Sequence, residues 1–117
     1  MKSLNKKMGK LAEDLACQEL IKKDYQIIKR NFQNRFGEVD IIAQDKKVLI
    51  FVEVKAKTGE NFGLPEEMIS KGKLAKIRHM ASIYTNGQEV QCRIDVVAVV
   101  LDMNGDLVRL THYENVY

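Results

Sequence analysis

Residues 48–57 constrain this chain more than any other stretch. Read at the two-residue period of a β-strand, Val48, Ile50, Val52, Val54 and Ala56 share one face that is apolar from end to end. Leu49, Phe51, Glu53, Lys55 and Lys57 share the other, which begins apolar and turns abruptly charged. Residues 39–43 behave similarly: Val39, Ile41 and Ala43 form an apolar face, with Glu38, Asp40 and Ile42 opposite. Paired as a hairpin, the two segments must point their apolar faces the same way, and a slip of one residue would break the match. The registers that survive set Asp40 opposite either Phe51 or Glu53. Both bring Asp40, Glu53 and Lys55 out on one face, within ~8 Å of one another.

Two carboxylates that close repel, so a half-buried sheet face that carries them needs a compensating cation. Lys55 is one candidate. A bound divalent metal is another. Two carboxylates with open coordination positions suit Mg²⁺, which keeps several waters and also takes phosphate oxygens. A salt-bridge cluster on a strand surface is the plainer alternative.

The rest of the chain supplies the frame. Met8, Leu11, Ala12, Leu15, Ala16 and Leu20 recur at helical spacing and predict a first helix over residues 4–22. Residues 25–30, 39–43 and 48–56 predict three strands, with turns at 34–37 and 44–47. Residues 58–64 read as a loop. Pro65, followed by Glu66 and Glu67, suits the first turn of a second helix that runs to about Thr85 and stops at Asn86-Gly87. Two strands follow over 91–101 and 107–113, joined at Asn104-Gly105, a strong hairpin signal. The predicted fold is α/β, with a mixed sheet in the order αβββαββ. One crossover, through the second helix, sets two strands parallel, and it is expected to be right-handed. At 117 residues without repeat or linker, residues 1–117 form a single domain.

Glu13 lies at the flank of the first helix's apolar stripe, in line with Ala16, Cys17 and Leu20. It either sits at the edge of the core or points into a site. Lys73 is similarly in line with Ile77, Met80 and Tyr84. The net charge of +3 is mild, but it is unevenly placed. Lys2, Lys6, Lys7 and Lys10 crowd the start, and Lys71, Lys73, Lys76 and Arg78 form a second acid-free group. Both are either solvated helix faces or contacts for a polyanion. Cys17 and Cys92 belong to no CxxC pair and are expected as reduced core thiols. No apolar run at the start resembles a signal peptide, and the longest apolar stretches are strand length. A cytoplasmic protein with no membrane partner is the expectation.

Gly37-Glu38-Val39-Asp40-Ile41-Ile42-Ala43, followed by Phe51-Val52-Glu53-Val54-Lys55, resembles the D…ExK core of the PD-(D/E)XK nuclease superfamily. More closely, the chain resembles the small bacterial YraN-like family, related to archaeal Holliday junction resolvases. The likeness continues through Glu13-Asp14-Leu15-Ala16, Arg30-Asn31-Phe32, Phe62-Gly63, Lys73, Ala81, Arg93-Ile94-Asp95-Val96-Val97 and His112-Tyr113-Glu114-Asn115. Ala12 stands where that family usually has Gly, Val39 where the superfamily has Pro, and Lys57 where Arg is frequent.

The resemblance implies a restriction-endonuclease-like core and roles for particular residues. Asp40 and Glu53 would hold Mg²⁺ or Mn²⁺, with the Val54 carbonyl as a further ligand. Lys55 would orient or help deprotonate the attacking water and stabilise charge on the phosphate. Glu13 would be an auxiliary ligand or would orient a metal-bound water. Lys73, Lys57, Lys6, Lys7 and Lys10 would contact the phosphate backbone without reading bases. The loop at 59–64 would close over substrate. The implied partner is nucleic acid, DNA before RNA and branched forms included, and a homodimer is compatible with all of this.

Other chemistries find little support. Gly9-Lys10 and Gly72-Lys73 lack the upstream Gly of a P-loop. His79 and His112 have no partners at zinc spacing and are expected at the surface. Ser3, Ser70 and Ser82 lie in no nucleophile-elbow context. Two function classes remain: a metal-dependent endonuclease, and a non-catalytic nucleic-acid-binding module with the same fold. Asp40, Glu53 and Lys55 together favour the first, since a pure binder has little reason to cluster carboxylates that repel phosphate.

Overall fold

The structure is a computed structural model, and it describes residues 2–58 and 69–116. The elements run α1 (Lys2–Lys22), β1 (Gln26–Asn34), β2 (Gly37–Asp45), β3 (Val48–Thr58), α2 (Lys71–Tyr84), β4 (Cys92–Leu101) and β5 (Leu107–Tyr113). The strands form one mixed five-stranded sheet in spatial order β1-β2-β3-β4-β5. All neighbours pair antiparallel except β3 and β4, which run parallel through the α2 crossover. The expected loop at 59–64 and first helical turn at 65–67 lie outside the described residues.

Alternation along β3 divides the interior into two layers. Ile50 and Val52 face one side, where they meet Ala12, Ala16, Cys17 and Leu20 of α1 together with Ile41, Ala43, Val97 and Val99. Phe51 faces the other, where it meets Ile77, Met80 and Ala81 of α2 together with Val39, Ile42 and Ile94. The two helices therefore cover opposite faces. β3 is buried on both sides from Ile50 to Glu53, and its second face opens at Lys55.

Two expectations are corrected here. The helix that ends at Tyr84 begins at Lys71 and does not continue back through Ser70, which is extended and whose hydroxyl accepts a hydrogen bond from Lys73 N–H at 3.1 Å as the cap. Val39 does not share the face of Ile41 and Ala43; it packs in the α2 layer. The cause lies in the neighbouring edge strand. Asn31 adopts a left-handed conformation, φ 54°. Arg30 before it reaches α1, whereas Phe32 after it packs on Tyr84 of α2 at 5.4 Å between ring centroids. Val39 pairs with Phe32 and Ile41 with Arg30, so both strands change faces at the level of Asn31 and Asp40.

Candidate active site

Asp40 sits where β2 leaves β3. The paired ladder ends at Ile41↔Val52, and its register, continued by one residue, sets Asp40 opposite Glu53. In place of the next ladder bond, Val54 N–H donates to Asp40 Oδ2 at 2.8 Å. The N–H and C=O of one strand residue leave on the same side, so the Val54 carbonyl also faces the Asp40 side.

Glu53, one residue earlier, is turned into the α2 layer with its side chain 6% exposed. Its Oε1 lies 3.4 Å from Lys55 Nζ and 3.4 Å from Lys73 Nζ. Lys55 follows from strand alternation. Lys73 reaches the site because α2 lies across the sheet with Ile77, Met80 and Ala81 inward. That apolar line carries Lys73 over Glu53 one helical turn before Ile77.

Both cations lie on Glu53 rather than on Asp40. Burial, and then the Glu53 charge, push the Asp40 carboxyl up to about 7 against the pull of the Val54 N–H. Glu38 and Glu13 add to the rise from farther away. The pair thus sets a carboxyl that gives up its proton reluctantly beside an acid held by two ammonium groups. Its donors are hard oxygens, the set that Mg²⁺ or Mn²⁺ takes, so these residues fit a hard divalent cation.

Glu13 is committed elsewhere. Its Oε1 accepts from Arg30 Nε at 2.9 Å and from Asn31 Nδ2 at 3.1 Å, while the same guanidinium reaches Asp14 Oδ1 at 2.7 Å. Its charge is felt at Asp40, but its hydrogen bonds go to β1. Lys10 pairs with Asp14 at 3.3 Å, and Lys6 and Lys7 are exposed. These three project from α1, across the sheet from Glu53 and Lys73. Lys57 is half-buried and shares the strand face of Lys55 by alternation. The structure thus brings Asp40, Glu53, Val54, Lys55 and Lys73 together, directs the hydrogen bonds of Glu13 to β1, and leaves Lys6, Lys7 and Lys10 on the other face.

A second polar group lies at the start of β4, where no site was expected. Asp95 is fully buried and accepts from Arg93 Nε at 2.9 Å, Arg93 Nη2 at 3.1 Å and Asn115 N–H at 3.0 Å. His112 Nε2 lies 2.7 Å from Asp95 Oδ2, and His112 Nδ1 lies 2.9 Å from Lys23 Nζ. An ammonium can only donate, so Nδ1 accepts and the ring proton sits on Nε2, aimed at Asp95. Arg93 Nη2 also donates to Tyr25 Oη at 2.6 Å, and the Tyr25 hydroxyl donates to Glu114 Oε1 at 2.7 Å.

His112 was expected at the surface; its side chain is 1% exposed, because Asp95 gives its ring a partner inside. Burial is the largest influence on the Asp95 carboxyl and pushes it up. The bonds from His112, Arg93 and Asn115 and the Arg93 charge outweigh it, and the net shift is downward. Ligand atoms of Asp95, His112 and Glu114 lie within 4.8 Å of one another, so the group could hold a metal ion. Here those atoms are already taken up by Arg93, Lys23 and Tyr25. The sequence signal was an Arg-x-Asp step at the head of an otherwise apolar strand.

Among the described residues no helix is long and apolar enough to cross a membrane. A family model described as "Uncharacterised protein family UPF0102" matches residues 12–99. A UPF0102 protein of Pelotomaculum thermopropionicum is 39% identical over 120 aligned positions, covering 100% of both chains. One from Caldanaerobacter subterraneus subsp. tengcongensis is 42% identical over 106, covering 87% of each. One from Clostridium beijerinckii is 37% identical over 120, covering 100% of this chain and 98% of the relative.

Proposed function

The chain belongs to the uncharacterised protein family UPF0102, and from its carboxylate site we propose that it is a metal-dependent nuclease hydrolysing phosphodiester bonds. The observation that carries this reading is the Asp40–Glu53 pair. Its Asp40 is half-buried, with a carboxyl pushed up first by burial, its Glu53 is buried, and Lys55 and Lys73 flank it. The acid on β2, the Glu-x-Lys on β3 and the crossover through α2 support a place in the PD-(D/E)XK superfamily with a restriction-endonuclease-like core.

Asp40 and Glu53 would hold Mg²⁺ or Mn²⁺, with the Val54 carbonyl as a further oxygen. Bound there, the ion supplies Lewis acidity toward a phosphate oxygen and lowers the pKa of a bound water. The residues of the chain do the rest. Lys55, anchored at Glu53, donates to the attacking water and to the phosphate oxygen on which charge develops. Lys73, on the same carboxylate, holds the next phosphate by charge and reads no base. Hydrolysis adds the water oxygen to phosphorus and breaks one P–O bond, and the bridging oxygen departs as an alcohol. The substrate is a nucleic acid, DNA before RNA, with branched structures included.

Cleavage of single-stranded, duplex and branched substrates in Mg²⁺ or Mn²⁺, run beside calorimetry of metal binding, tests this. Lys55→Ala should lower cleavage by about 10²–10⁴-fold with metal binding largely intact. Asp40→Asn should lose both, while metal-free nucleic-acid binding holds or improves. A wild-type protein that binds nucleic acid yet neither binds metal nor cuts any substrate would show a binding module instead.

A further inference from the structure

The β1–β2 hairpin closes at Asn34↔Gly37, which leaves Arg35 and Phe36 as its two loop residues. Two-residue hairpin loops favour Asn, Asp and Gly, which take positive φ easily. Here a cation and a large aromatic stand in those places, and neither is among the positive-φ residues. The turn is held instead by the Asn34 side chain, which accepts from Phe36 N–H at 2.8 Å. A loop that sets aside the easy turn chemistry for a bulky apolar ring has been shaped by something other than the turn.

Phe36 is 46% exposed. It is propped from two sides: His79 of α2 meets it edge-on at 4.9 Å between centroids, and the Arg35 guanidinium lies 4.8 Å from its centroid. The helix that supplies His79 is basic. α2 carries Lys71, Lys73, Lys76 and Arg78 with no acid, and Lys76 is one turn before His79 on the same line. The platform also adjoins the carboxylate site. Asp40 follows Phe36 by four residues on β2, and from Lys73 at Glu53 to His79 at Phe36 the α2 axis rises about 9 Å.

We infer that Phe36 is a stacking platform for an unpaired base of the nucleic-acid strand whose phosphate enters the Asp40–Glu53 site. This rests on the nuclease reading and adds the form of the substrate: a strand with at least one unpaired base next to the phosphate attacked. An aromatic face accepts any base, and a nearby guanidinium adds a second stacking plane. The α2 cations hold the backbone while the base leaves the duplex stack. A blunt, fully paired duplex offers nothing to this ring.

The chain contains no tryptophan, so Phe36→Trp places a single tryptophan, excited apart from the tyrosines at the red edge, at the platform. It would be titrated in EDTA with three dye-labelled oligonucleotides: a single strand, the same strand made abasic, and a blunt duplex. Anisotropy of the dye reads binding independently of the tryptophan. The single strand should quench the emission, and the abasic strand and duplex should leave it unchanged. Phe36→Ala should weaken single-strand binding by roughly tenfold or more, with duplex binding unchanged. Phe36→Leu, which keeps apolar bulk against His79, should melt like the wild type yet bind the single strand as weakly as Phe36→Ala. Binding by anisotropy with unchanged tryptophan emission would overturn the platform and leave the nuclease reading standing. Failure to bind any of the three, both in EDTA and with Mg²⁺ restored, would overturn both.

Discussion

Glu53 with Asp40, and Asp95, lie on adjacent or neighbouring strands of one sheet, and each buries carboxylate charge against a core. Asp95 is met on every side: a guanidinium, an imidazole N–H and a backbone N–H converge on its two oxygens, and its carboxyl is held below the ordinary value of 3.8. Asp40 has one backbone donor and a second acid facing it, and its carboxyl is pushed up to about 7. The cations of that site lie on Glu53, at 3.4 Å. A fold can bury an acid cheaply when it supplies the donors. At Asp40 it supplies one, and carboxylate oxygen is left for a ligand. The Asp95 group reads as a structural clasp joining residues 112–115 to the α1–β1 corner, and the Asp40–Glu53 pair as a place to bind something.

The contrast can be broken most decisively at the clasp. Asp95→Ala strands Arg93 and His112 without their partner and should cost about 3–5 kcal/mol in urea unfolding. A loss under about 1 kcal/mol would mean that the clasp is not structural. Adding Mg²⁺ should do the reverse at the other region. At a hundredfold excess over its Kd the ion should add about 2.7 kcal/mol of stability to the wild type at pH 8. Asp40→Asn should gain little, and a milder clasp variant, His112→Gln, should gain as much as the wild type. Equal gains in Asp40→Asn would place the metal elsewhere.

Acidity sharpens the same distinction, with opposite signs. The Asp40 carboxyl is raised in the native state, so between its ordinary value of 3.8 and about 7 the native protein binds more protons than the unfolded chain. Its contribution is therefore present at low pH and lost as pH rises through that window. Metal-free Asp40→Asn should flatten this decline and be more stable than the wild type at pH 8 by roughly 1–3 kcal/mol. The Asp95 carboxyl is lowered, so its contribution is present above the ordinary 3.8 and lost as pH falls below it. Chemical unfolding of both variants against pH separates the two arms. A decline that survives in Asp40→Asn would remove Asp40 as its source. The smallest effect belongs to Lys73, whose replacement by Ala should lower the log–log salt slope of nucleic-acid binding by about 1. An unchanged slope would confine Lys73 to Glu53.

Much of this molecule is legible without coordinates. A two-residue period fixes which side chains leave a strand together, so the switch at Glu53 and the two surviving registers for Asp40 follow from residues 38–57 alone. The register adopted is the one that faces acid with acid. The apolar line of α1, the Asn86-Gly87 stop and the Asn104-Gly105 turn are local chemistry too, with Asn86, Gly87 and Gly105 all at positive φ. Tertiary structure decided the partners. Lys73 comes to Glu53 only because a parallel crossover lays α2 on that face of the sheet. Glu13 turns to Arg30 because Asn31 rotates the edge strand toward α1. His112 is buried because Lys23, 89 residues away, and Asp95 occupy its two ring nitrogens. Periodicity records the direction in which a side chain leaves the backbone, a property of a few successive dihedral angles. What it meets depends on chain brought in from far along the sequence, and no local window of residues contains that information.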